Sequence, residues 1–250
     1  MSDQALSFGP AANEYDARRP HYPEPAVAWA LGGTPLRVVD LGAGTGILTR
    51  ALLRLGHRVT AVEPDDAMRS RLLATTPVDQ ALAGSAEAIP LPDGSVDAVT
   101  AGQAYHWFNR ERAHPEIARV LRPGGVFVPV WNIRDESVPW VARLSEIADE
   151  VRSPAGDDWL DGEFEAPMDD RSYGPLFGPL FGTVERRVFR HSVPMTADRL
   201  VALMSTRSYY LTASPQQRAT TERAIRQLAA ELPETFELPY VTATCRARRR

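Results

Sequence analysis

The segment Asp40-Leu41-Gly42-Ala43-Gly44-Thr45-Gly46 places an acid two residues ahead of three alternating glycines. Glycines in such a turn take left-handed dihedrals and let a ligand approach the main chain closely. A helix that follows offers its first amides as donors. The spacing narrows the ligand. A dinucleotide fingerprint needs glycine at the first, third and sixth positions, and the sixth residue counted from Gly42 is Ile47. A carboxylate at Asp40 repels a pyrophosphate and attracts a cation. Glu63 closes the run Arg58-Val59-Thr60-Ala61-Val62-Glu63. A carboxylate at such a strand end accepts hydrogen bonds from a ribose 2′,3′-diol. Taken singly, Asp40 also suits a turn cap, and Glu63 before Pro64 also suits a solvated strand end.

Both acids together ask for a nucleoside with a positively charged side arm and no pyrophosphate. S-adenosylmethionine (SAM) has that composition: adenine, ribose, a sulfonium and an amino-acid tail. A base is needed only where the acceptor of its methyl must lose a proton. His106 is the best-placed histidine, because it follows the fourth strand on the side where such sheets bind ligands. Packing against Trp107 and Phe108 is its other reading.

The elements that must hold these residues alternate. Leu36–Leu41 is a short apolar run of buried-strand type, and residues 46–56 carry Leu48, Ala51, Leu52 and Leu55 at helical spacing. Strands are predicted at 58–63, 78–83, 96–101 and 126–131, and helices at 24–32, 65–74 and 109–121. Strand and helix alternating at this spacing means right-handed parallel βαβ units, a doubly wound α/β sandwich. Farther on, helices are expected at 138–152, 196–206 and 215–231, and strands at 184–193 and 236–247. Residues 153–182, with two Gly-Pro-Leu-Phe repeats, read as a loop or lid whose aromatics suit an apolar acceptor. Ser205, Arg207, Tyr209 and Tyr210 are candidates for the same pocket, as is Trp107.

Composition removes whole classes. All 28 basic side chains are arginine. With no lysine, a Schiff-base enzyme, a P-loop NTPase and a protein kinase are excluded. Any acidic group on a ligand must be met by arginine, amides or hydroxyls. A net charge of −4 gives no reason to expect nucleic acid. The lone Cys245 forms no internal disulfide, and no ligand spacing suggests a metal. No secretory leader is read at Met-Ser-Asp-Gln-Ala, and no apolar stretch reaches the roughly 18 residues a membrane span needs. A cytoplasmic chain, monomer or homodimer, without a membrane partner is expected.

Val38-Val39-Asp40-Leu41-Gly42-Ala43-Gly44-Thr45-Gly46 resembles motif I of the class I SAM-dependent methyltransferases, most closely the type 11 branch with its trans-aconitate and ubiquinone/menaquinone relatives. Gly84–Pro92, Val96–Val99 with Gly102–Phe108, Val120–Gly125 and Asn13–Pro23 resemble further segments of that family. The resemblance is strong over about residues 13–131 and loose in the C-terminal third. It implies a Rossmann-like, mostly parallel seven-stranded sheet whose last strand is antiparallel. It implies three regions: an N-terminal cap at 1–35, a SAM-binding core at 36–135, and a lid and substrate region at 136–250 that includes the last two strands.

By resemblance, Gly42 and Gly44, with Ala43 between them, lie against the methionine portion, and Asp40 lies near its ammonium. Glu63 holds the ribose hydroxyls. Pro64 and Asp65 flank the adenosine. Ser85, Ala86 and Glu87 meet the adenine. Gln103 faces the methionine or the acceptor. Tyr15, Arg19 and Tyr22 fold over the cofactor, with Arg19 able to pair with its carboxylate. The function implied is methyl transfer from SAM to an O, N or C atom of a small-molecule acceptor, with secondary metabolism as a setting. A non-catalytic SAM-binding protein of the same fold, and a tRNA or protein methyltransferase, are the alternatives.

Overall fold

The computed structural model describes residues 16–149, 177–207, 210, 211 and 213–250. Seven strands form one sheet: β1 (Arg37–Leu41), β2 (Arg58–Val62), β3 (Gln80–Leu82), β4 (Val96–Gly102), β5 (Leu121–Arg134), β6 (Glu185–Met195) and β7 (Phe236–Arg248), in the order β3-β2-β1-β4-β5-β7-β6. The first five pair in parallel, and β7 lies antiparallel between β5 and β6. The doubly wound, mostly parallel sheet with an antiparallel last strand is therefore as expected. The direction of winding reverses between β1 and β4, which is where such sheets open a ligand crevice at their carboxyl ends.

Helices α1 (Glu24–Leu31), α2 (Ile47–Arg54), α3 (Asp66–Thr75) and α4 (Arg110–Val120) belong to the parallel half. Strand alternation sorts side chains to two faces. Val38, Ala98, Val126 and Val128 pack with α1 and α2 on one face. Val39, Val99, Phe127 and Trp131 pack with α4 on the other. A separate apolar cluster joins α5 (Pro139–Asp149), α6 (Ala197–Met204) and α7 (Pro215–Ala229) to the adjoining ends of β6 and β7. Ser214 opens α7 with a capping box to Gln217.

Two expectations change. β5 runs on past Trp131 to Arg134, because β7 pairs with it as far as Tyr240 opposite Arg134. The expected lid falls mostly on residues 150–176, with Trp159, Phe164 and Tyr173, outside the described residues. Its described end is no lid. Phe177 and Phe181 are each 1% exposed and pack against Phe127, at ring separations of 4.9 and 5.9 Å. Tyr105, also buried, sits 5.7 Å from Phe177 and bonds His114 Nε2 through its hydroxyl at 2.8 Å. Burying such rings is worth more than holding them at a surface.

Candidate active site

The glycine turn joins β1 to α2 at the sheet's carboxyl end. Gly42, Gly44 and Gly46 have φ of +67°, +56° and +86°, conformations costly to any residue with a Cβ. The amides of Gly42 and Ala43 donate to Val62 O at 2.8 and 3.2 Å, which fixes the turn to the end of β2. Gly46 caps α2 without a side-chain acceptor. A Cβ on Gly42 would lie 2.7 Å from that of Ala104, whereas one on Gly44 would meet open space. The main chain at Gly44 is thus bare where a side chain would stand.

Two buried acids flank this turn. Asp40 is 0% exposed and accepts from Thr49 Oγ1 at 2.6 Å and Thr100 Oγ1 at 3.2 Å. Burial pushes its carboxyl up to about 6, against the pull of those two hydroxyls. The resemblance places Asp40 near an ammonium; its carboxylate is sealed between β1, β4 and α2, so any effect on a ligand would be exerted through space. Glu63 is 7% exposed, with Oε2 accepting from Gly44 N at 2.8 Å and Oε1 from Asp65 N at 2.9 Å. Burial raises its pKa too, with the two amides opposing. Each of its oxygens keeps a second lone pair. Asp65 caps α3 through Ala67 N and Met68 N, and Pro64 lies between the two acids.

The loop after β3 is held from α4's side. Glu87 Oε1 accepts from Asn109 N at 2.8 Å. Burial raises the Glu87 carboxyl, and bonds from Asn109 and Ser85 outweigh it, for a net lowering. Ala86 is buried and Ser85 bridges to Ala88. Gln103 follows β4 with φ +54°, the one non-glycine with positive φ among the described residues. Its amide donates to Val130 O and its Nε2 to Asn132 O, both at 3.0 Å.

Residues 16–23 form a strap anchored at several points. Asp16 bridges Arg50 at 2.5 Å and Arg71 at 3.3 Å. Arg50 also donates to Thr45 O in the glycine turn at 2.9 Å. Arg18 donates to Ala202 O and Arg19 to Thr206 O, which ties the strap to the end of α6. Tyr22 is 5% exposed, and a Cβ on Gly102 would come within 2.8 Å of its hydroxyl. Tyr15 lies outside the described residues. The participation of Asp16, Arg50, Thr49, Thr100 and Asn132 escaped sequence reasoning. The available signal was polar residues interrupting apolar runs, such as Thr49 beside Leu48, Ala51 and Leu52.

His106 lies in the short turn after β4, beside Trp107. Burial pulls its imidazolium down to about 3, which leaves the ring neutral near pH 7 and a weak base. The ring lies tilted against that of Trp107, with 4.6 Å between centroids and 42° between planes. Trp107 is half-buried in the short 3₁₀ turn Tyr105–Trp107. Arg207 and Tyr210 follow α6, and Arg207 O accepts from Tyr210 N. The Arg218 guanidinium sits 5.7 Å from the Tyr210 ring. The structure therefore places Arg207 beside Thr206, the carbonyl that Arg19 reaches.

A methyltransferase-domain family profile matches residues 39–128, which span β1 to β5 and the glycine turn. An uncharacterized methyltransferase of Mycobacterium tuberculosis is 43% identical over 98% of this chain and 96% of its own length. The chain belongs to the class I SAM-dependent methyltransferases. A further relative, an uncharacterized methyltransferase-like protein of Schizosaccharomyces pombe, is 32% identical over 88% of this chain and 84% of its own. A solved structure from Anaeromyxobacter dehalogenans matches this methyltransferase with a TM-score of 0.66 at 24% identity, over 92% of this chain and 97% of that one. A SAM-dependent methyltransferase from Thermotoga maritima matches with a TM-score of 0.52 at 20% identity, over 98% and 99%.

SAM fits the residues present. The turn is bare at Gly44, Glu63 keeps acceptor capacity, and Asp40 is a buried acid bonded by the neutral hydroxyls of Thr49 and Thr100. No helix among the described residues is long and apolar enough to cross a membrane. Among them, too, no three His, Cys, Asp or Glu converge as metal ligands.

The two glycines separate fold from ligand. Gly42→Ala is expected to cost about 2–4 kcal/mol of stability, from left-handed strain and overpacking against Ala104. Gly44→Ala meets no neighbour and is expected to cost about 1 kcal/mol while weakening SAM binding at least tenfold. Thermal melts with and without SAM, together with calorimetry, check both.

Proposed function

We propose that this methyltransferase methylates an O, N or C atom of a small molecule, bound beside the strap where it meets the end of α6, with Trp107, Arg207 and Tyr210 as candidate contacts. The observation that carries the reading is the pair of bonds from Arg18 and Arg19 to the carbonyls of Ala202 and Thr206. They close the strap against α6 beside the carboxyl ends of β4 and β5, which favours a small acceptor over a folded protein or RNA. SAM supplies a methyl on a positively charged sulfur with a neutral thioether as leaving group.

The chain's own work is alignment and exclusion of water. The turn at 42–46 lies along the methionine portion, Glu63 holds the ribose, and the charge on Asp40 favours the cationic side arm. Arg207 offers a guanidinium to an acidic acceptor, and Tyr210 a hydroxyl. With His106 neutral and weakly basic, an acceptor that needs no deprotonation by the protein, or one already ionised, suits the site best.

The test is release of S-adenosylhomocysteine from SAM over a panel of small metabolites, with bulk tRNA and protein in parallel. Turnover with a subset of small molecules is expected. Turnover only with tRNA or protein would overturn the reading. So would tight SAM binding with no product from any acceptor.

A further inference from the structure

β5 is apolar and buried from Val126 to Trp131, and then carries a buried amide, Asn132, at 4% exposure. A buried amide is costly unless its bonding capacity is used. Here it is used entirely on distant segments. Nδ2 donates to His21 O at 3.2 Å and lies 3.5 Å from Pro20 O. Oδ1 accepts from Thr242 Oγ1 at 2.6 Å. The backbone carbonyl of Asn132 accepts from Gln103 Nε2 at 3.0 Å.

The orientation of the amide follows from its partners. Two carbonyl oxygens only accept, so the NH2 must face the strap. Thr242 therefore spends its one proton on Asn132, and accepts at 3.3 Å from Nδ1–H of His191. Burial lowers the His191 pKa, in keeping with a neutral ring. A directed chain thus runs from β6 through β7 and β5 to the strap. The same residue steadies Gln103, whose positive φ costs about 1–3 kcal/mol unless its surroundings impose it.

The strap begins at Asp16, clasped by Arg50 beside the glycine turn, and passes Tyr22, packed against Gly102. It thus runs between the two sides of the crevice at the β1/β4 switch. We propose that Asn132, backed by Thr242, is a positioning residue that docks residues 20–21 across the SAM site and holds Gln103 beside it. It governs how tightly SAM is retained, and does so whatever the acceptor is.

Asn132→Asp tests this at constant shape, since it turns two donors into acceptors facing carbonyl oxygens. The expected result is a roughly tenfold rise in the SAM dissociation constant by calorimetry. The KM for SAM should rise in step, with kcat within about twofold. Trypsin should cut the Arg18–Arg19 bond faster, and SAM, expected to slow that cleavage in the parent, should no longer do so in the variant. Thr242→Val removes one link of the chain without changing shape, and should shift the same readouts in the same direction by a smaller factor. Thr242→Ser should restore them. Should Asn132→Asp fail to fold, the Thr242 pair decides. Parent-like SAM affinity and cleavage in the folded variants would overturn the proposal. A lower melting temperature with unchanged SAM affinity would overturn it equally, because that is what a merely structural role predicts.

Discussion

Glu63→Ala is expected to raise the SAM dissociation constant roughly 10–100-fold, the range for losing charge-assisted bonds to a ligand. The effect has two parts. On the proposed site, the carboxylate's remaining lone pairs would face the ribose diol of SAM. In addition, Oε2 now fixes Gly44 N and Oε1 fixes Asp65 N, so its loss loosens the turn and the start of α3 together. Glu63→Gln separates the parts. It keeps the shape, but its NH2 must confront one of the two amides, so an intermediate affinity is expected. The ribose lies away from the reacting carbon, so ground state and transition state lose the contact equally. KM for SAM should rise while kcat at saturation stays within about threefold. Unchanged calorimetric affinity in both variants would remove Glu63 from the site.

Asp40 makes the second large prediction, through pH. Its folded carboxyl titrates at about 6, above the 3.8 of an exposed aspartate. The native state therefore holds a proton between about pH 4 and 6 that the unfolded chain has lost. Stability then falls as pH rises through this window, by roughly 3 kcal/mol in all. Asp40→Asn removes the charge at constant shape, and the hydroxyls of Thr49 and Thr100 can rotate to suit an amide. The variant is expected to melt above the parent at pH 7.5, with the difference shrinking towards pH 4.

SAM binding should move the other way. A cation favours the ionised carboxylate, so the parent's affinity should drop as pH falls below about 6, and Asp40→Asn should be weaker at pH 7.5 without that step. Calorimetry between pH 5 and 8 decides. Equal affinity and an equal pH profile in the two proteins would show that the buried charge does nothing for the cofactor. The two halves of the prediction together explain why a destabilising charge stands in a core that threonines alone would satisfy better.

Much of this was readable in the chain. The alternation of Leu36–Leu41, residues 46–56 and Arg58–Glu63 is local, so period and turn chemistry sufficed to place β1, α2 and β2. The acids at 40 and 63 stood out because they are the only acidic residues in those runs. The environment of each acid was not readable. Thr49 and Thr100 reach Asp40 from separate elements, and the lone-pair demands on Glu63 depend on how Gly44 is turned. Asn132 was invisible for the same reason: its partners at 20–21 and 242 lie more than a hundred residues away on either side. The surroundings of His106 were not readable either: its place beyond the fourth strand suggested a base, while burial lowers its pKa and Trp107 lies against its ring. Phe177 and Phe181 misled because Gly-Pro-Leu-Phe repeats look like a surface loop, whereas their rings complete the apolar face around Phe127.

The placement of β7 between β5 and β6 has a consequence for synthesis. On a ribosome β5 and β6 emerge well before Phe236–Arg248, yet among the described residues β6 has no sheet partner except β7. Until that last strand arrives, β5 presents one open edge and β6 two. Unpaired strands of this kind recruit other chains. The nascent protein thus passes through a window in which its own C-terminal strand competes with strangers for the same vacancy. A premature stop anywhere after β6 and before β7 would leave a chain with its cofactor turn already written and its sheet unable to close.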